Sequence, residues 1–209
     1  MNFFGIDNVA FQIWGYPVSY VELIGTLFGL ASVYFASRAN ILTWPTGIVN
    51  EIFLLLLFFQ VQLYADMFLQ IYFLGITIFG WYNWKTGPGK NKITETTTRV
   101  RIYLASVILI GSLLAGILFK NIHTYLPQYF KIPAAYPFTD SFIMVSSIVA
   151  TVLLAKKKIE NWYLWIAIDI ICVLLYYRKA TYFLSIEYFI FLGLAIYGLY
   201  NWKKQLKND

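Results

Sequence analysis

The sequence predicts an all-α membrane protein of seven transmembrane helices, and three observations carry that prediction. Sixty per cent of the 209 residues are hydrophobic and twelve per cent are charged. Apolar runs of about twenty residues recur along the chain, long enough to cross a bilayer. Short polar or basic connections separate them. Backbone groups in lipid must be satisfied within their own segment, so the runs are helices. The net charge of +6 sits in short loops beside apolar spans, which marks topology and argues against a nucleic-acid surface.

Residues 1–17 have no Lys or Arg ahead of their apolar side chains, so they lack the charged region of a secretory signal. Phe3, Phe4, Ile6, Phe11, Ile13 and Trp14 predict a short interfacial segment. Apolar runs at 18–36, 41–60 and 64–84 form a first three-helix unit over 18–84. A linker, 85–137, holds a fourth helix at 102–119. Its flanks are a polar, basic stretch at 85–101 and a mixed one at 120–137 with Pro127, Pro133 and Pro137. Runs at 138–155, 161–177 and 181–202 form a second unit over 138–202, and 203–209 is a short tail.

With seven spans, one side of the membrane receives Arg38, Lys85, Lys90, Lys92, Arg99, Arg101, Lys156, Lys157, Lys158, Lys203, Lys204 and Lys207. The other receives Lys120, Lys131, Arg178 and Lys179. Positively charged loops stay in the cytoplasm, so this split predicts a cytoplasmic C-terminus and an outer N-terminus.

The third and seventh spans share an internal repeat. Residues 64–85 read YADMFLQIYFLGITIFGWYNWK and residues 182–203 read YFLSIEYFIFLGLAIYGLYNWK, at a constant offset of 118. The same offset pairs Trp44 with Trp162, Glu51 with Asp169 and Glu22 with Asp140. Three spans, one linker span and three spans give two halves of the same orientation, a parallel 3+1+3 repeat. Parallel repeats are a transporter architecture, with the substrate near mid-membrane between the halves.

Asp169 lies near the middle of the sixth span, where a charge costs about 3 kcal/mol on insertion scales and normally faces a bundle interior or wet cavity. Trp165 is one helical turn before it, on the same face. An aromatic plate beside an anion suits a flat organic cation. The repeat would face Glu51 toward the same cavity from the opposite half, with Asn50 and Gln70 beside it. Each of these polar groups has a structural alternative, a protonated or hydrogen-bonded contact between helices. Glu187, in the last span, reads as structural.

Most other aromatics, including Tyr16, Tyr20, Trp44, Trp81, Tyr82, Trp84, Trp162, Tyr176, Tyr177 and Trp202, lie near span ends, where amphipathic rings settle at the headgroup level. Gly25 and Gly29 form a GxxxG, and Ser112 and Gly116 a small-residue pair, each a candidate close helix contact. His123 falls in a predicted loop, as a solvated side chain. The lone Cys172 permits no intramolecular disulfide, and no metal constellation is encoded.

Several classes are excluded. Gly89-Lys90 would need glycine at position 84 to make a phosphate-binding loop, and Trp84 stands there. A retinal protein needs a lysine in the last span, and none occurs between Lys179 and Lys203. An intramembrane aspartyl protease would need a glycine beside Asp169 to admit a peptide backbone. Nothing points to an enzyme or a cofactor. A carrier and a non-transporting membrane scaffold both remain open.

Trp44-Pro45-Thr46-Gly47-Ile48, Phe58-Phe59-Gln60-Val61-Gln62-Leu63-Tyr64-Ala65, Leu69-Gln70, Gly80-Trp81-Tyr82, Pro137-Phe138-Thr139-Asp140-Ser141, Ser147-Ile148-Val149-Ala150 and Glu160-Asn161-Trp162 together resemble the PnuC family of bacterial vitamin transporters over nearly the whole chain. The resemblance implies a fold similar to the SWEET proteins, a homotrimer and facilitated diffusion of nicotinamide riboside across the inner membrane. Trapping by a cytoplasmic vitamin kinase is implied, and coupling to ions or ATP is not. The spacing and mid-span placement read above put the substrate on Trp165 and Asp169, with Asn50, Glu51 and Gln70 completing the cavity. One departure bears on the substrate: the family's nicotinamide riboside carriers typically have Trp-x-x-x-Asn in the sixth span, and here the motif is Trp165-x-x-x-Asp169. An added anion favours a permanently cationic ring, so thiamine is the second candidate and neutral riboflavin is disfavoured.

Overall fold

A computed structural model describes residues 4–13, 15–61, 64–87, 92–129, 133–179 and 181–208. Seven α-helices follow a two-stranded hairpin: β1 (Val9–Ile13), β2 (Tyr16–Ser19), α1 (Tyr20–Ser37), α2 (Thr43–Gln60), α3 (Tyr64–Thr86), α4 (Thr98–Tyr125), α5 (Pro137–Ala155), α6 (Glu160–Arg178) and α7 (Tyr182–Asn208). Among the described residues, six of the helices are long and apolar enough to cross a membrane.

Local chemistry sets the helix starts. Ser19 caps α1 by accepting from the Glu22 amide, Thr97 caps α4 through the Val100 amide, and Pro137 opens α5, where its missing N–H costs nothing. The segment expected to be interfacial is an antiparallel hairpin, turned at Gly15 with φ of +82°. Trp14, Phe3, Lys90, Lys131, Gln62 and Leu63 lie outside the described residues. The fourth helix runs to Tyr125, so His123 belongs to its last turn and not to a loop. Residues 118–125 carry enough apolar and helix-favouring side chains to extend it past the apolar span. The tail continues α7 through Lys203, Lys204 and Lys207.

The helix neighbours obey the offset of 118. Helix α1 packs on α2 as α5 packs on α6, α2 on α3 as α6 on α7, and α1 on α7 as α5 on α3, while α4 packs on α5. Gly25 and Gly29 serve contacts within the chain, against Phe53 and Asn50 of α2, and Gly116 sits against Phe138 of α5.

Four tryptophans assigned above to the headgroup layer are instead buried in the core: Trp44, Trp84, Trp162 and Trp202. Trp44 meets Trp84 edge-on at 5.1 Å, Trp162 meets Trp202 edge-on at 5.6 Å, and Trp84 lies 6.3 Å from Trp202. The layer ties the halves together reciprocally. Trp84 Nε1 donates to Leu154 O at 3.2 Å and Asn83 Nδ2 to Ala155 O at 2.8 Å. At the equivalent positions, Trp202 Nε1 donates to Ala36 O at 3.0 Å and Asn201 Nδ2 to Ser37 O at 3.5 Å. The accepting carbonyls belong to the last turns of α1 and α5. The asparagine amides reach Ser37 O and Ala155 O, which the helix ends leave open, and the indoles add a second donor to Ala36 O and Leu154 O, which also accept from the Ala39 and Lys157 amides at 2.9 Å each. Just past each end, Ala39 and Lys157 adopt φ of 52° and 50°. The Lys157 ammonium lies 4.5 Å from the centre of the Trp84 ring, and burial lowers its pKa from the ordinary lysine value.

Beneath this layer Glu160 fastens the linker. Its Oε1 accepts from Thr96 N and Thr96 Oγ1 at 2.8 Å each and from Arg101 Nε at 2.9 Å. Glu160→Ala is expected to destabilise by about 1–3 kcal/mol, since it strands the half-buried amide and hydroxyl of Thr96 and leaves Arg101 Nε without this carboxylate. A fall in the thermal unfolding midpoint in detergent checks it.

Candidate functional site

A cavity of about 780 Å³ runs between the two halves and brings together all five residues singled out from sequence: Asn50, Glu51, Gln70, Trp165 and Asp169. At one end Trp44 and Trp162 of the tryptophan layer bound it; at the other stand Tyr16, Glu22 and Glu187.

The scaffold is symmetric but its lining is not. Helices α2 and α3 contribute Asn50, Glu51, Gln70 and Thr77; the equivalent positions on α6 and α7 are Ile168, Asp169, Tyr188 and Ala195, and Trp165 is the counterpart of Gly47. At these matched positions the first half carries the polar groups and the second Trp165 and Tyr188, around a shared pair of acids. Gly47 is closely packed: a Cβ there would lie 3.2 Å from Ser32 Oγ.

Glu51 is 8 % exposed; its Oε1 accepts from Thr77 Oγ1 at 2.6 Å, whereas Oε2 has no partner among the described residues. Asn50 Nδ2 donates to Gly25 O at 2.8 Å. Asp169 and Gln70 are 4 % and 8 % exposed, and among the described residues no side-chain hydrogen bond reaches either. Buried polar groups are normally satisfied, so two without a hydrogen bond, Asp169 and Gln70, and the open Oε2 of Glu51 around one cavity mark a place for a polar ligand or water.

Sequence reasoning missed the outer end. Tyr16 Oη donates to Glu22 Oε1 at 2.8 Å, and its ring stacks on Phe183 at 5.8 Å. Burial and the Glu22 carboxylate push the Tyr16 hydroxyl up to about 12, so it stays a donor at neutral pH. The hairpin segment is held to α2 by Gln60, which accepts from Ile6 N at 3.0 Å and donates to Phe4 O at 2.8 Å. It thus spans from α2 to α7 over this end of the cavity. Thr26 and Glu187 both line the cavity, so Glu187 does more than pack. Tyr176, also placed in the headgroup layer above, lines it too. The offset of 118, applied to Trp84 and Trp202 as it was to Trp44 and Trp162, was the available signal for the tryptophan layer. No sequence pattern marked the hairpin.

Membrane-length helices around a central cavity lined by polar and aromatic side chains are the architecture of a membrane transporter. The chain belongs to the nicotinamide mononucleotide transporter family, whose model matches residues 19–204. It is 31 % identical to the nicotinamide riboside transporter PnuC of Escherichia coli, over 97 % of this chain and 94 % of that protein. It is 22 % identical to the riboflavin/roseoflavin transporter RibM of Streptomyces davaonensis, over 98 % and 94 %. A crystal structure of the vitamin B3 transporter PnuC superposes with a TM-score of 0.68 at 21 % identity, covering 90 % of this chain and 83 % of that one.

Proposed function

We propose that this protein takes up nicotinamide riboside by facilitated diffusion across the bacterial inner membrane, as a homotrimer, with a cytoplasmic kinase trapping the product. The observation that carries it is the one cavity lined by Trp165, Asp169 and Gln70, the last two buried and without a side-chain hydrogen bond among the described residues. The cationic ring stacks on Trp165 with Asp169 offsetting its charge, and Asn50, Glu51 and Gln70 take the hydroxyl-bearing part. The two halves act as a parallel 3+1+3 repeat, which the reciprocal tryptophan and asparagine contacts support. Thiamine is the second reading, favoured by Asp169 where the family pattern has asparagine; it too is permanently cationic.

Uptake of labelled nicotinamide riboside, thiamine and riboflavin into liposomes holding the purified protein, with no kinase inside, tests the reading. Nicotinamide riboside should equilibrate and not accumulate. Accumulation driven by an imposed proton or sodium gradient overturns facilitated diffusion, and no uptake of any solute favours a scaffold. The cation split further places loop 86–99 and the end of α7 in the cytoplasm and residues 2–16 outside. A cysteine introduced at Thr96 or Thr98 in a Cys172→Ser background should stay unlabelled by an impermeant thiol reagent in intact cells; labelling reverses the orientation.

A further inference from the structure

A second, smaller cavity of about 380 Å³ lies between the first turns of α4 and the last turns of α5, away from the central one. Its floor is apolar, made by Val100, Leu104, Val149 and Val152, and its rim carries Lys156 and Lys158. The acid at the rim, Glu95, is already paired with Arg101 at 2.7 Å. Lys158 Nζ is held toward the linker by Thr94 Oγ1 at 2.8 Å, while Lys156 is exposed. The adjoining outer face of α4 is apolar, with Val100 and Ile102 exposed.

From this arrangement we propose that the groove holds an anionic phospholipid from the bilayer, one acyl chain against the valine floor and the phosphate on Lys156 and Lys158. An apolar slot opening beside a lipid-facing helix and ending in two ammonium groups matches a lipid's two-part chemistry, and basic pockets between transmembrane helices are where acidic headgroups bind. A free phosphate would leave the apolar floor unused, and a zwitterionic lipid would leave the lysines uncompensated. The site is independent of the transported solute.

Native mass spectrometry of the delipidated full-length protein tests it, with phosphatidylglycerol, phosphatidylcholine and inorganic phosphate as probes. Phosphatidylglycerol should be retained at least about tenfold more than phosphatidylcholine, the scale expected of two basic side chains at a lipid surface. Lys156→Gln with Lys158→Gln should remove that preference, and Val152→Trp, which fills the floor but keeps both lysines, should lower retention. Equal retention of both lipids by the unmodified protein, an unchanged preference in the double variant, or competition by inorganic phosphate at equal concentration would each overturn the proposal.

Discussion

Trp165→Ala is expected to weaken substrate binding by about five- to thirtyfold, the equivalent of about 1–2 kcal/mol of lost ring stacking and cation–π attraction in a desolvated site. The residue is half-buried against the tryptophan layer and lines the cavity, so truncation removes a binding plate together with some packing on that layer, and a thermal unfolding midpoint separates the two effects. Asp169→Asn keeps the shape and removes the charge. With thiamine as natural ligand it should weaken thiamine more than nicotinamide riboside; with nicotinamide riboside as natural ligand, restoring the family's usual asparagine should leave that ligand's affinity within a few-fold. Titration of each vitamin against the parent and both variants, with oligomeric state checked by size, separates these outcomes. Unchanged affinity of both variants for every vitamin would place the site elsewhere and make Asp169 a packing residue.

The second large effect is structural. A Cβ on Gly80 would lie 2.2 Å from the Trp44 ring, and one on Gly198 would lie 2.7 Å from the Trp162 ring. Both rings are locked edge-on against neighbours, so neither can swing aside. Gly80→Ala and Gly198→Ala should each cost at least about 1–3 kcal/mol from overpacking, and separate the layer that joins the halves. Gly75 and Gly193 are related by the same offset one and a half turns earlier, and a methyl group at either would have nothing within 4 Å. Alanine there should be neutral or slightly stabilising, since it removes the conformational freedom of glycine. Thermal unfolding of the four variants in detergent checks the contrast; equal midpoints would contradict the packing account.

How much of this was legible beforehand follows the physics of each feature. Apolar runs longer than the bilayer is thick have no stable alternative to a helix, so all seven helices were readable, with errors confined to ends where polar residues extend the helix beyond the lipid. The five cavity residues were readable because a polar group inside an apolar run needs a reason, and the offset of 118 gave Asp169 a counterpart in Glu51. The tryptophans misled because ring position along a span does not reveal which way the ring faces. Trp81 remains exposed near the end of α3 while Trp84, three residues on, is buried. The offset of 118 separates the two cases, since it pairs Trp84 with Trp202 but Trp81 with Leu199; the glycines at 80 and 198, which make room for Trp44 and Trp162, gain their significance once the helices are packed. The hairpin escaped because its strands are short and its contacts, Gln60 and Phe183, are distant in sequence.

The central claim is that one cavity between the halves holds a cationic vitamin ring against Trp165. A structure of the protein determined with saturating nicotinamide riboside tests it most directly. The account predicts planar density stacked on Trp165, with the charged ring beside the Asp169 carboxylate and the ribose toward Glu51 and Gln70. Density for the vitamin anywhere else on the molecule, with the central cavity free of it, would contradict the account.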